Sequence, residues 1–113
     1  MTTSVETVDY EQVKNDLLAQ LEPVEHERFL RAQQEAELRT SIAEMVYEGR
    51  IRAGLSQTRL AELAGTRQSV ISSLENGAQI PQITTLLRIA EALESPLELR
   101  IGQVGFTQNP LAS

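Results

Sequence analysis

The chain has little of what most catalytic and metal-binding proteins need. Among its 113 residues there is no cysteine and a single histidine, His26. A zinc site would therefore need mostly carboxylate ligands, and disulfide or thiolate chemistry is excluded. The lack of cysteine fits a reducing cytoplasm. The sequence also has no Gly-rich phosphate loop and no plausible serine, histidine and aspartate set, so we expect neither an enzyme nor a bound metal or cofactor.

Long apolar runs are also absent. The first ten residues, MTTSVETVDY, have neither the basic nor the apolar part of a secretory signal. No run approaches the ~20 apolar residues that span a bilayer. An apolar content of 41 % nevertheless supports a core, and the length suits one compact domain with an appendage. We expect a soluble, cytoplasmic protein with no membrane partner.

Basic residues are outnumbered, since the net charge is −6. That balance at first argues against nucleic acid as a ligand. However, residues 1–39 hold nine acidic and four basic side chains, whereas residues 40–113 hold seven and six. The acidic excess therefore belongs to an N-terminal arm, where it suits a basic partner protein. The remainder is nearly neutral and can bind DNA if its arginines lie on one face; Arg50, Arg52, Arg59 and Arg67 gather there.

The most specific segment is LSQTRLAELAGTRQSVISSLENG, from Leu55 to Gly77. It predicts two short helices, the first capped by Ser56 and ended by Gly65 in the left-handed conformation. Thr66 is suited to cap the second helix. One side of the pair is apolar or small, at Leu60, Ala61, Ala64, Ile71 and Leu74. The other side of the second helix carries hydrogen-bonding side chains, as a helix that reads base edges requires. A packed helical pair with a solvated face is the alternative.

Residues 42–93 resemble the Cro/repressor (Xre) class of helix-turn-helix domains, through the string LSQ…LA…AG…QS…LENG. The resemblance implies an all-α fold, a five-helix lambda-repressor-like bundle over residues 40–95. It implies that Gln68 and Ser69 read bases and that Gln57 contacts phosphate and supports Gln68. The full set of implied DNA contacts is Gln57, Thr66, Arg67, Gln68, Ser69, Ser72, Ser73 and Asn76.

Two further features of the resemblance concern charge. Arg50 and Glu75 match positions at which such repressors pair an arginine with a glutamate across the bundle. Treated as a surface ion pair, they would add little stability and would mainly orient Arg50 near the DNA backbone. Many relatives carry a lysine or arginine in the loop where this chain has Ala78, Gln79 and Ile80, which weakens the expected phosphate binding.

The segments that flank the domain predict two protein contacts. In the arm, a helix from Asp9 or Tyr10 to Leu21 is followed by a helical pattern to about Arg52, which is either one helix or two. The apolar residues of the arm either bind a partner or pack on the bundle: Val13, Leu17, Leu18, Leu21, Phe29 and Leu30. After the domain, residues 96–104 alternate as one strand, which must pair with something. We expect the same strand of a second subunit, through Leu97, Leu99 and Ile101, with residues 105–113 as a flexible tail.

The order of these parts is similar to that of HigA-type antitoxins, which also end in a short strand. This resemblance implies that the arm neutralises a basic RelE-fold ribonuclease toxin. It also implies that the homodimer represses its own operon by binding a palindromic DNA operator. The alternatives are a stand-alone Xre-family repressor, a HipB-like antitoxin of a kinase toxin, and a protein-interaction module in which DNA binding has lapsed.

Overall fold

The computed structural model describes residues 9–109 and is mainly helical, as predicted. Helix α2 is continuous, which answers the question of one helix or two. Within the described range, no helix combines the length and the apolarity that crossing a membrane requires. The elements in chain order are α1 (Tyr10–Ala19), α2 (Pro23–Ala53), α3 (Gln57–Ala64), α4 (Gln68–Glu75), α5 (Ile83–Ala92), β1 (Leu97–Ile101) and β2 (Val104–Gln108).

The chain divides between Glu35 and Ala36 into two compact units. In the N-terminal unit, the Asp9 carboxylate caps α1 by accepting a hydrogen bond from the Glu11 N–H at 3.0 Å. Leu18 is buried, which does not fit a surface contact with a partner and leaves packing, the alternative that the sequence left open. Leu21 is half-buried, and the other four predicted contacts are exposed: Val13, Leu17, Phe29 and Leu30.

The C-terminal unit is a helical domain with one apolar core. The C-terminal part of α2, together with α3, α4 and α5, supplies the buried side chains, and α3 contacts both α4 and α5. Of the five helices within residues 9–109, α1 lies outside this domain. At Gly49 a Cβ would come within 2.8 Å of Leu93 Cδ1, so the glycine admits the end of α5 against α2. The core residues are Ile42, Val46, Leu60, Ala61, Ala64, Ile71, Leu74 and Ile89.

The turn between α3 and α4 sets the direction of α4. The Ser56 hydroxyl accepts from the Arg59 N–H at 3.0 Å, and Gly65 has φ 68° at the end of α3, both as predicted. The Thr66 N–H then bonds back to the Ala61 carbonyl at 2.9 Å. Because this bond keeps Thr66 in the turn, α4 begins one residue later than predicted. The N-cap is Arg67, whose side chain makes no capping hydrogen bond, so the prediction that Thr66 caps α4 is wrong.

The C-terminal strand pairs within its own chain. Strand β1 is antiparallel to β2, with Leu99 opposite Phe106 and Ile101 opposite Val104. The expectation that β1 lacks a partner in its own chain is therefore wrong, as is that of a flexible tail from Gly105 onward as far as Gln108. The physical reason is the two-residue turn, in which Gly102 has φ 61° and reverses the chain.

Candidate nucleic-acid interface

Helix α4 presents a polar face. Ile71 and Leu74 are fully buried on one side. On the other side, spacings of three and four residues bring the predicted contact residues together along the helix. Gln68, Ser69 and Asn76 are exposed, and Ser72 and Ser73 are half-buried. The exposed side of this helix therefore offers both donors and acceptors.

The pair formed by Arg50 and Glu75 is half-buried, so it is less open to solvent than the surface pair that we had assumed. Arg50 Nε donates to Glu75 Oε2 at 2.6 Å, and Nη2 donates to Oε1 at 3.0 Å. Arg50 Nη1 also donates to the Leu55 carbonyl at 2.9 Å. The side chains are only 12 % and 5 % exposed. The Arg50 guanidinium is thus engaged inside the protein, and the pair links α2 to the end of α4.

Both members of this pair are held in their charged forms. Burial alone would raise the pKa of Glu75, but hydrogen bonds from Arg50 and Gln57 and the charge of Arg50 outweigh burial and lower it. The hydrogen bond to Glu75 raises the pKa of Arg50 against the opposing effect of burial. The Glu75 carboxylate is therefore ionised at neutral pH.

Two glutamine amides continue from this pair to the surface. Gln57 Nε2 donates to Glu75 Oε1 at 3.1 Å, and Gln68 Nε2 donates to Gln57 Oε1 at 2.7 Å. The structure therefore has the contact between Gln57 and Gln68 that the resemblance implied. The bond from Gln57 to Glu75 was not predicted, although both residues had been singled out, because no sequence signal joins positions 18 apart.

Positive charge near α4 is concentrated at its N-terminus. Arg67 is exposed there, and the ion pairs within residues 9–109 involve neither Arg67 nor Arg52. Arg59 instead pairs with Glu62 at 3.1 Å. Because no side chain caps α4, its first backbone N–H groups and the Arg67 side chain together suit an anion such as phosphate. Thr66 is half-buried beside them.

The sequence of residues 46–99 matches the helix-turn-helix family HTH_3. Over this segment the chain is similar to helix-turn-helix proteins of that family. An uncharacterised HTH-type transcriptional regulator of Haemophilus influenzae is 32 % identical over 65 residues, which cover 58 % of this chain and 66 % of that protein. The crystal structure of an HTH_3-family transcriptional regulator from Vibrio cholerae is 31 % identical with a TM-score of 0.53, over 54 % of this chain and 34 % of that one. The matches thus span less than two thirds of either relative.

A second surface of the helix-turn-helix unit is apolar. Residues directly opposite each other in an antiparallel pair point to the same side of the sheet. Leu99, Ile101, Val104 and Phe106 therefore share one face of the hairpin. Ile101 is 87 % exposed and Val104 is 78 % exposed. Phe106 was not predicted as a dimer contact because it lies beyond the predicted strand. Val104, Phe106 and Gln108 nevertheless continue the alternation of that strand at a spacing of two.

Proposed function

We propose that this protein binds operator DNA through α4 and regulates transcription. The observation that carries the proposal is the ordered Gln68 amide, which the chain of bonds from Glu75 holds at the exposed start of α4. A helix of this kind reads base edges with the side chains of its first turn. The relatives from Haemophilus influenzae and Vibrio cholerae, both named as transcriptional regulators, support the same function.

In the proposed complex, Gln68 and Ser69 contact bases while the groups around them contact phosphates. Ser72 and Ser73 line the major groove next to Ser69. The uncapped N-terminus of α4 and the Arg67 side chain suit a phosphate on one side. The remaining phosphate contacts are Gln57, Thr66 and Asn76. Such a complex would form in the cytoplasm, through binding rather than catalysis.

The decisive experiment measures base preference. The operator is selected from random duplex DNA with the full chain, and each base pair of the selected site is then varied. Gln68→Ala should lose roughly 1–3 kcal/mol at one base pair and relax the preference there only. Ser95→Ala, which lies outside the domain's polar face, is the control and should leave every position unchanged. Uniform weakening across all sequences would make Gln68 a phosphate-positioning residue, and absence of any selected sequence would contradict the proposal.

The apolar hairpin face supports a homodimer. A two-stranded sheet is marginal on its own, and the largely exposed Ile101 and Val104 side chains gain free energy when water is removed from them. A second copy brings the same apolar face, so a two-fold axis through the hairpin buries both faces at once. The resulting symmetric dimer would read a palindromic operator whose half-sites lie about 34–36 Å apart. This pairing retains the predicted role of Leu97, Leu99 and Ile101 and adds Val104 and Phe106.

For the N-terminal unit we propose the antitoxin role that the HigA-type layout implies. Four of its apolar residues are exposed: Val13, Leu17, Phe29 and Leu30. They lie within residues 1–39, which have a net charge of −5 from nine acidic and four basic side chains. An acidic surface with apolar patches suits a basic protein such as a RelE-fold ribonuclease toxin. A neighbouring gene for a small basic ribonuclease would support this role. A kinase gene would favour the HipB-like alternative, and neither would favour a stand-alone repressor.

A protein-interaction module without DNA binding is the competing function. The net charge and the engagement of Arg50 and Arg59 by carboxylates favour it. The two functions differ in their response to salt, because each phosphate contact releases a counterion. Affinity for the selected operator that falls steeply with salt supports the DNA-binding function, whereas no measurable affinity at low salt supports the module.

A further inference from the structure

We infer that Glu75 fixes, through Gln57, which hydrogen-bonding groups Gln68 turns toward a base, and thereby makes the protein prefer adenine to guanine there. Glu75 itself touches no base in this arrangement, so it is a positioning residue for specificity. The inference rests on the proposed function, because it requires that Gln68 reads a base.

The first step is the orientation of the Gln57 amide. An ionised carboxylate only accepts hydrogen bonds. The Gln57 atom that lies 3.1 Å from Glu75 Oε1 must therefore be the NH2 nitrogen. The opposite orientation would place the amide oxygen against the carboxylate, where neither group can donate. The charge of Glu75 thus determines the orientation of this amide.

The second step passes that orientation to Gln68. Because the Gln57 nitrogen faces Glu75, its oxygen faces Gln68 at 2.7 Å. An oxygen that accepts at this distance requires the NH2 group of Gln68 as its donor. The Gln68 amide is therefore oriented as well, although its side chain is exposed and would otherwise turn freely.

The third step is the rigidity of the anchor. The Glu75 side chain is 5 % exposed, and Arg50 holds its two oxygens at 2.6 and 3.0 Å. Glu75 and Gln68 are the last and first residues of α4, seven positions apart, so they lie on one side of the helix. Gln57, the first residue of α3, bridges them. The anchor, the bridge and the reader are thus all attached to packed helices.

The base preference follows from the hydrogen-bonding groups of Gln68 that Gln57 does not use. One of its two N–H groups is used by Gln57, which leaves one donor and the amide oxygen. Adenine offers an acceptor at N7 and a donor at N6, which match both groups. Guanine offers acceptors at N7 and O6, so the Gln68 oxygen would face another acceptor. We expect a preference for adenine of about 5- to 150-fold, which is the range for one good bidentate contact.

The experiment compares variants of the full chain at the base pair that Gln68→Ala identifies. The double variant Arg50→Met/Glu75→Gln removes both charges together, so no buried charge is left unpaired, and its amide at position 75 can face Gln57 either way. Its adenine-to-guanine affinity ratio should fall by at least fivefold. The control Glu62→Gln removes the carboxylate of the exposed pair between Arg59 and Glu62, which lies outside this chain of bonds, so its ratio should stay within about twofold of the original. Thermal unfolding confirms that each variant is folded.

A third variant keeps the inference testable if the double variant does not fold. Gln57→Met keeps the length of the side chain but interrupts the chain of bonds, and its ratio should fall as in the double variant. An unchanged ratio in either folded variant would overturn the inference while leaving the proposed function intact. A fall in the ratio for Glu62→Gln as large as for the double variant would also overturn it.

A measurement without DNA separates the inference from the proposed function. In ¹H–¹⁵N spectra of the free protein, the side-chain NH2 protons of Gln57 and Gln68 should be shifted from those of exposed glutamines such as Gln79. The double variant should remove both shifts, and Glu62→Gln should retain them. Ordinary exposed-glutamine signals in the unsubstituted protein would overturn the inference whether or not the protein binds DNA.

Discussion

Replacing Arg50 with methionine would test the half-buried ion pair directly. Methionine keeps much of the side-chain volume but removes three hydrogen bonds, two to Glu75 and one to the Leu55 carbonyl. Since the Glu75 carboxylate is 5 % exposed, water cannot easily replace the lost partner. Breaking a buried pair by removing one member costs about 3–5 kcal/mol of unfolding free energy. Because this pair is half-buried and Gln57 still donates to Glu75, we expect a loss of about 1–3 kcal/mol, between the values for exposed and for buried pairs.

The double variant Arg50→Met/Glu75→Gln completes the test. Removing both charges leaves no shielded ion without a partner, so we expect it to be more stable than Arg50→Met alone by at least about 1 kcal/mol. Urea unfolding followed by far-UV circular dichroism measures both differences. A loss below about 1 kcal/mol for Arg50→Met would mean a solvated pair, and the reasoning from burial would then be refuted.

The pH dependence of the same variants has a definite sign. In the unsubstituted protein the pKa of Glu75 is lowered, so the pair contributes stability above the ordinary glutamate pKa of about 4.3. That contribution is lost as the pH falls through the lower pKa of the folded state. In Arg50→Met both effects of Arg50 are gone, and burial, which raises the pKa of Glu75, is opposed only by the weaker hydrogen bond from Gln57, so protonation now stabilises the fold. The stability difference between the two proteins should therefore shrink from pH 7 toward pH 4, and a constant difference would contradict this account.

Three further predictions concern other parts of the molecule. Ile101→Lys/Val104→Lys should shift the protein toward monomer in sedimentation equilibrium, whereas Glu98→Lys on the other hairpin face should not; a persistent dimer would reject the hairpin interface. In a growth-rescue assay with the toxin of the neighbouring gene, Leu17→Lys should lose neutralisation and keep operator binding, and retained rescue would count against the arm. Glu94→Gly should raise the unfolding free energy by about 0.5–1 kcal/mol, because Glu94 has φ 53° at the end of α5, where a side chain is strained; an unchanged melting temperature would show that this strain is negligible.

Local signals in the sequence predicted the helix-turn-helix well. Ser56 and Gly65 each fix one end of α3 by chemistry that involves only neighbouring residues. The spacing of Leu60, Ile71 and Leu74 likewise follows from helical periodicity, and all three side chains are fully buried. These features were predictable because each depends on a stretch of a few residues.

The failures have different physical causes. Thr66 and Arg67 compete for the same N-cap, and a backbone bond from Thr66 to Ala61 decides between them. The second strand was missed because the turn at Gly102 lies inside the segment predicted as one strand, and β2 begins only at Val104, the end of that segment. Arg50 and Glu75 are 25 residues apart, so the solvent exposure of their pair depends on how α2 and α4 pack. No local pattern predicts that packing. The same is true of the orientation of the glutamine amides.

The chain of bonds from Glu75 to Gln68 also limits how this domain can be redesigned or can diverge. The Gln57 oxygen faces position 68, so that position accepts side chains that donate, such as arginine or lysine, more readily than one that only accepts. Glutamate there would oppose the Gln57 oxygen, and Gln57 cannot reverse while Glu75 stays charged. A change of base preference through an acidic reader would therefore require replacement of residues 57 and 68 together. A carboxylate that is largely shielded from water thus restricts the set of amino acids that can serve at the protein surface.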